Sequence, residues 1–260
     1  MLKNLLLIAL LLVPATAPLS AQQGNNRTSL FRLLPLGVEP SMKTQKKNGF
    51  MQELPAPEGS LPPRILTVVP QADGAEPFQI QVNLRRMGIY KEVPRGAALK
   101  LYEGAEANGE VWKDIKGLSG TTTLALIRDP SVKKRHWNQT KLFAFKDSLA
   151  SFPNEAVRYI NLSRADVVVQ VIDTGKSYAV KPGQTRILSA VEGLKIGEGT
   201  TVKYGVKLGG KWKVVAQNAV QVRRGHRVSV YFFENDAADH KGVIRNKLDY
   251  VTLPEPTRDR

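Results

Sequence analysis

Between residues 64 and 253 the chain breaks into fourteen runs of four to eight residues, each rich in β-branched or aromatic side chains. Gly, Pro, Asn or Asp separates them, and no stretch keeps helical periodicity over three turns. Short strands at this spacing predict stacked, mostly antiparallel sheets; an α/β sheet would need crossover helices of about ten residues or more. The expected fold class is therefore all-β, with two tandem immunoglobulin-like β-sandwiches over 64–150 and 155–253. The junction falls at 147–155. There Asp147 or Ser148 caps one helical turn, and Phe152, extended because it precedes Pro153, ends it. The alternative is one larger sandwich with this segment as an internal crossover.

Three turns are readable in detail. A two-residue Thr174-Gly175 loop sets Val171 opposite Tyr178 and Val169 opposite Val180, all on one face, with Asp173 and Lys176 as a flanking charge pair. Around Gly209-Gly210, a three-residue loop over 208–210 sets Val206 opposite Trp212 and Tyr204 opposite Val214, which keeps both apolar rows on the buried face. Lys181-Pro182-Gly183-Gln184 has type II turn chemistry, with Pro first and Gly at the position needing positive φ.

Ahead of the strands, residues 1–21 read as a secretory signal peptide, with Lys3 before an apolar run over 5–13. Nine apolar residues fall short of the roughly 20 that span a bilayer. Cleavage is expected after Ala21, and no later run is long enough for a transmembrane segment. Residues 22–63 hold six of the sixteen prolines and read as a flexible Pro-rich tether with one apolar patch at 30–36. The absence of cysteine excludes disulfides, cysteine nucleophiles and thiolate metal sites. The localisation expected is exported, in the periplasm or outside the cell.

The run Asp147-Ser148 to Phe152-Pro153, followed by Arg158-x-x-Asn161-x-Ser163 and Val180-Lys-Pro182-Gly183, resembles an uncharacterised family of exported bacterial β-sandwich proteins. The resemblance is best over 98–235. It implies export and an immunoglobulin-like half opened by the Arg-x-x-Asn-x-Ser strand; it implies no activity, cofactor or site. Asn161 and Ser163 are suited to bonding the backbone at a strand end.

Tests for chemistry mostly end in structural readings. Asp173-Thr174-Gly175 matches an aspartic-protease signature, but that chemistry needs two carboxylates sharing a proton, so only a homodimer could supply it. A dimeric aspartic protease using Asp173 is the remote alternative. The loop 205–211 carries Trp212 where a phosphate-binding loop needs Ser or Thr, and Ser131-x-x-Lys134 lacks its partner motifs. His136, His226 and His240 share no metal-ligand spacing, and Glu234, Asp236, Asp239 and His240 read as a solvated loop. No catalytic residue, cofactor or metal site is assigned, and the protein is read as no enzyme.

Charge is the one feature that points to a partner. Lys and Arg number 38 against 23 acids, a net +15. Residues 199–233 contain Lys203, Lys207, Lys211, Lys213, Arg223, Arg224 and Arg227 and no acid, and these seven are the candidate polyanion-binding residues. The four lysines alternate with apolar positions and are expected on the outward face of one hairpin. A second basic cluster, Lys133, Lys134, Arg135, Lys141 and Lys146, has Trp137 among it. Aromatics do not alternate with the charges, which argues against nucleic acid. The reading is an exported, non-enzymatic binding or structural module of the cell envelope. Its partner would be an anionic cell-wall polymer or polysaccharide. The alternative is an accessory subunit docking onto another exported protein.

Overall fold

The computed structural model describes residues 28–129, 136–208, 210–235 and 243–251. These residues are all-β, and they form two halves with one topology. The first half contains β1 (Thr28–Leu36), β4 (Ile65–Gln71), β5 (Phe78–Gln81), β6 (Lys91–Pro94), β7 (Ala98–Glu103), β8 (Val111–Ile115), β9 (Thr121–Arg128) and β10 (Thr140–Lys146). A separate hairpin, β2 (Thr44–Lys47) and β3 (Phe50–Glu53), lies between its first two strands. The second half contains β11 (Val157–Asn161), β12 (Val167–Val171), β13 (Ser177–Val180), β14 (Thr185–Leu188), β15 (Gly199–Leu208), β16 (Lys211–Gln221), β17 (Arg227–Glu234) and β18 (Ile244–Val251).

The sheets are β10-β9-β1-β6 and β5-β4-β7-β8 in the first half, and β18-β17-β11-β14 and β13-β12-β15-β16 in the second. Numbered within each half, both give 8-7-1-4 against 3-2-5-6. In both, strands one and seven run parallel while every other pair is antiparallel. Each half packs its two sheets over its own core. Phe31, Leu33, Leu66, Val68, Leu99 and Leu124 fill the first. Val157, Tyr159, Val169, Val202, Tyr204 and Phe232 fill the second, where the Tyr204 and Phe232 rings meet edge-on at 5.1 Å.

The expected tether is corrected over 28–36, which forms β1, a buried strand between β9 and β6. The first half therefore includes residues 28–36. The apolar patch is continuous because both faces of β1 are covered: Phe31 and Leu33 face the first core, Leu34 and Leu36 the opposite side. Pro35 is tolerated for a geometric reason. Leu30 N donates to Gly120 O on the β9 side, so by alternation the missing N–H of Pro35 faces the other edge, and β6 pairs only with Thr28–Phe31. Gly88 closes that edge so tightly that a Cβ there would lie 2.1 Å from Leu33 O.

The outer faces of the two 8-7-1-4 sheets pack on each other, giving a four-layer stack. Leu34, Leu36, Ala125 and Ile127 meet Ile160, Tyr231 and Phe233 in this third core. Within it, Arg32 Nε donates to Thr123 Oγ1 at 2.9 Å, and Arg158 Nε donates to Ser229 Oγ at 3.2 Å. Each acceptor is the residue directly beside its arginine on the seventh strand. Each guanidinium then reaches a carboxylate of the other half: Arg32 bonds both oxygens of Asp249 on β18, and Arg158 Nη2 bonds Asp147, one residue past β10, at 2.6 Å. The interface is thus pseudo-twofold in its chemistry as well as its strands.

A single turn lies between β10 and β11. Ser148 O accepts from Phe152 N at 2.8 Å, closing one turn. Asp147 serves the interface instead of capping, accepting also from Tyr90 Oη at 2.8 Å. Gln184 N donates to Lys181 O, with Gly183 at φ +74°, and Asn161 Nδ2 donates to the Ala165 and Val180 carbonyls, both at 2.8 Å. The first hairpin slips by two residues. Val169 lies opposite Tyr178 and Val167 opposite Val180, so the buried face is kept. The longer loop is a 3-10 turn, and Asp173 pairs with Lys195 at 2.9 Å instead of Lys176.

Candidate polyanion-binding face

The second hairpin decides where the basic residues go. Leu208 pairs with Lys211 across a two-residue loop, not the expected three-residue one. Lys207 then lies opposite Trp212, and Val206 opposite Lys213. A β-bulge at Tyr204/Gly205 restores the register: Gly205 faces Val214, while Tyr204 faces Ala216, leaving Val215 as the extra residue. Below the bulge Ala216 and Val220 face the core beside Tyr204 and Val202. Above it Trp212 and Val214 turn to the solvent face, 52% and 68% exposed. The expected pairing of Tyr204 with Val214 and Val206 with Trp212 is replaced, because a bulge lets the short loop and the buried row coexist.

The four lysines therefore do not share one face. Lys203 and Lys207 stand on the outer surface of β13-β12-β15-β16 with Gly205 between them. Lys211 and Lys213 point to the opposite side, but at the hairpin end, where both stay exposed. Arg223 and Arg224 are exposed at the far end of β16, ten residues from Lys213, or roughly 33 Å along the strand. Arg227 is a correction: it is 1% exposed. Its Nη1 donates to Asp147 O at 2.8 Å and Phe152 O at 2.6 Å. Its Cζ lies 5.2 Å from the Phe152 ring centroid, and burial pulls its pKa below the usual arginine value. It holds the junction and faces no solvent partner.

On the outer face a shallow cleft of about 390 Å3 is lined by Val168, Gln170, Ser177, Lys203, Gly205, Trp212, Lys213 and Val214. No acid is among them. Trp212 reaches across to β15: a Cβ added at Gly205 would lie 3.8 Å from its Cε3 and 3.6 Å from Lys213 O. Gly205 thus keeps the floor low where the indole meets it, between two lysines.

No family model matches the chain, and no curated protein does. Among solved structures, it is similar to a candidate cell adhesion protein from Bacteroides ovatus, with 10% identity over 84% of this chain and 95% of that one, at a TM-score of 0.23.

The remaining sequence candidates are scattered. Asp173 lies in an exposed turn, ion-paired with Lys195. Trp137, expected among basic residues, is 1% exposed and donates from Nε1 to Ser60 O at 3.1 Å. Residues 131–135 of its cluster lie outside the described residues, as do the signal segment and Asp236, Asp239 and His240. Glu234 receives Arg164 Nη2 at 2.7 Å. Among the described residues no group of three or more His, Asp or Glu could hold a metal ion, and no helix is long and apolar enough to cross a membrane.

A second exposed feature was hidden inside the expected tether. The β2–β3 hairpin touches solvent at every residue. Its Asn48-Gly49 turn has φ values of +52° and +84°, and it carries Phe50 and Met51, 80% and 66% exposed, beside Lys46 and Lys47. The Asn-Gly pair between polar and apolar residues was the readable signal for it.

Proposed function

We propose that the protein is an exported, non-enzymatic binding or structural module of the bacterial cell envelope that contacts anionic polymers through the free end of the β15–β16 hairpin. The observation that carries this reading is an acid-free cleft lined by Lys203, Lys213 and the exposed Trp212 and Val214, with Lys207 opposite Trp212 and Lys211 at the hairpin end beside it. Such a field attracts polyanions and weakens as salt screens it, over a Debye length of about 8 Å at physiological ionic strength. Export is supported by the composition of residues 1–21, and the resemblance in the Phe152-Pro153 and Arg158 to Ser163 motifs agrees with it.

The test is co-sedimentation of residues 22–260 with isolated cell-wall polymer across a salt series. The expected result is binding that fades with salt and weakens when Lys203, Lys207 and Lys213 are changed to Gln. No binding at low salt would reject the reading. Docking onto another exported protein is the second reading, and the β2–β3 arm with Phe50 and Met51 exposed is the observation that favours it.

A further inference from the structure

We infer that the ligand of the outer-face cleft is an acidic polysaccharide, whose uronate rings stack on Trp212 while Lys203 and Lys207 meet their carboxylates. This rests on the polyanion reading above and narrows it to a chemical class. Lysines alone would suit any polyanion. The indole and its neighbours do not, because they offer a flat apolar surface that a phosphate chain has no group to cover.

Three features converge on a ring-shaped ligand. The bulge at Tyr204/Gly205 turns Trp212 and Val214 out of the buried row, at the cost of exposing two large apolar side chains. Gly205, the one position between Lys203 and Lys207 on that face, has no side chain to fill the space beside the indole. The amide of Gln170 and the hydroxyl of Ser177 line the same cleft and can bond ring hydroxyls. A pyranose presents an apolar C–H face, hydroxyls at its rim and, when it is a uronate, one carboxylate. An aromatic platform with polar rim groups and flanking cations is complementary to all three. A nucleic-acid strand fits less well. Binding a single strand relies on successive stacking platforms, and Trp212 is the lone aromatic in this cleft.

The experiment measures affinity of residues 22–260 for oligogalacturonate, its methyl-esterified form, inorganic polyphosphate and a single-stranded oligonucleotide, at one low salt concentration. Oligogalacturonate is expected to bind tightest, and esterification to weaken it. Trp212→Ala should lower its affinity about tenfold or more, as removing a central aromatic anchor does, and leave polyphosphate unchanged. Trp212→Phe should recover part of the loss. Trp212 is half-exposed, so these variants keep the fold, and an unchanged melting temperature checks this. An unaltered oligogalacturonate affinity in Trp212→Ala overturns the inference, as does tighter binding of the oligonucleotide. Polyphosphate binding that depends on the lysines, without oligogalacturonate binding, overturns this inference alone. No binding of any polyanion removes the parent reading with it.

Discussion

The first half joins its first and second strands through residues 37–64, with the β2–β3 arm inside; the second half makes the same connection in residues 162–166. The third-to-fourth connection is 82–90 in one and the four-residue turn at 181–184 in the other. The fifth and sixth strands are six and five residues long in the first half, joined by residues 104–110. In the second they are ten and eleven, with a two-residue loop. Both fifth–sixth pairs contain a register shift, yet only the second half has extended the hairpin beyond its core. Strands one and seven, buried on both faces, keep the same pairing in both halves. What differs lies in connections and outer faces, where added length disturbs no core. The hairpin end and the arm are those additions.

The equivalence of the two halves depends most on β1. If that strand is the counterpart of β11, deleting residues 28–36 should unfold the first half, because β9 loses its parallel partner and two cores lose Phe31, Leu33, Leu34 and Leu36. Circular dichroism and amide exchange over β9 would register it; native-like exchange there would return 28–36 to the status of a tether.

The crossed ion pairs come next. Asp249→Ala strands the Arg32 guanidinium, 3% exposed, and should cost about 3–5 kcal/mol in denaturant unfolding. The double change Arg32→Met with Asp249→Leu should recover most of that, since apolar residues of similar volume suit the site. By the pseudo-twofold relation, Asp147→Ala should be at least as harmful, since it also removes the carboxylate oxygen to which the Tyr90 and Thr123 hydroxyls donate. A loss under about 1 kcal/mol at either position would mean that the interface is held by its apolar residues alone.

The smallest effect belongs to the arm. Changing Phe50 and Met51 to Ser should alter stability by less than about 0.5 kcal/mol, because neither touches a core. A larger loss would show that the arm folds onto the body and would count against its availability to a partner.

Most strands were legible from alternation and turn residues, as at 111–115, 177–180 and 185–188. β1 was not, because it is buried on both sides and so lacks the period of two, and Pro35 argued against a strand. β6 was missed as well; its four residues end on Pro94 and carry one buried apolar side chain, Val93. Arg32 and Asp249 stand 217 positions apart, and only the stacking of the halves brings them together. The candidate site was half legible. Its lysines were visible as a charge run, but their division between faces, and the outward turn of Trp212, depend on one inserted residue, Val215, whose effect on register has no local signature. Arg227 read as surface charge because its partners are backbone carbonyls at the junction.

The most direct test sets the two halves against each other. One variant carries Lys203→Gln, Lys207→Gln, Lys211→Gln and Lys213→Gln; the other loses the same charge from the first half at Lys91, Lys100, Lys113 and Lys116. Both are assayed by co-sedimentation with the same anionic cell-wall polymer at the same salt concentration. The first variant is expected to lose most of its binding and the second to stay close to the unaltered protein. Equal losses would contradict this, since binding would then follow net charge and not the hairpin face.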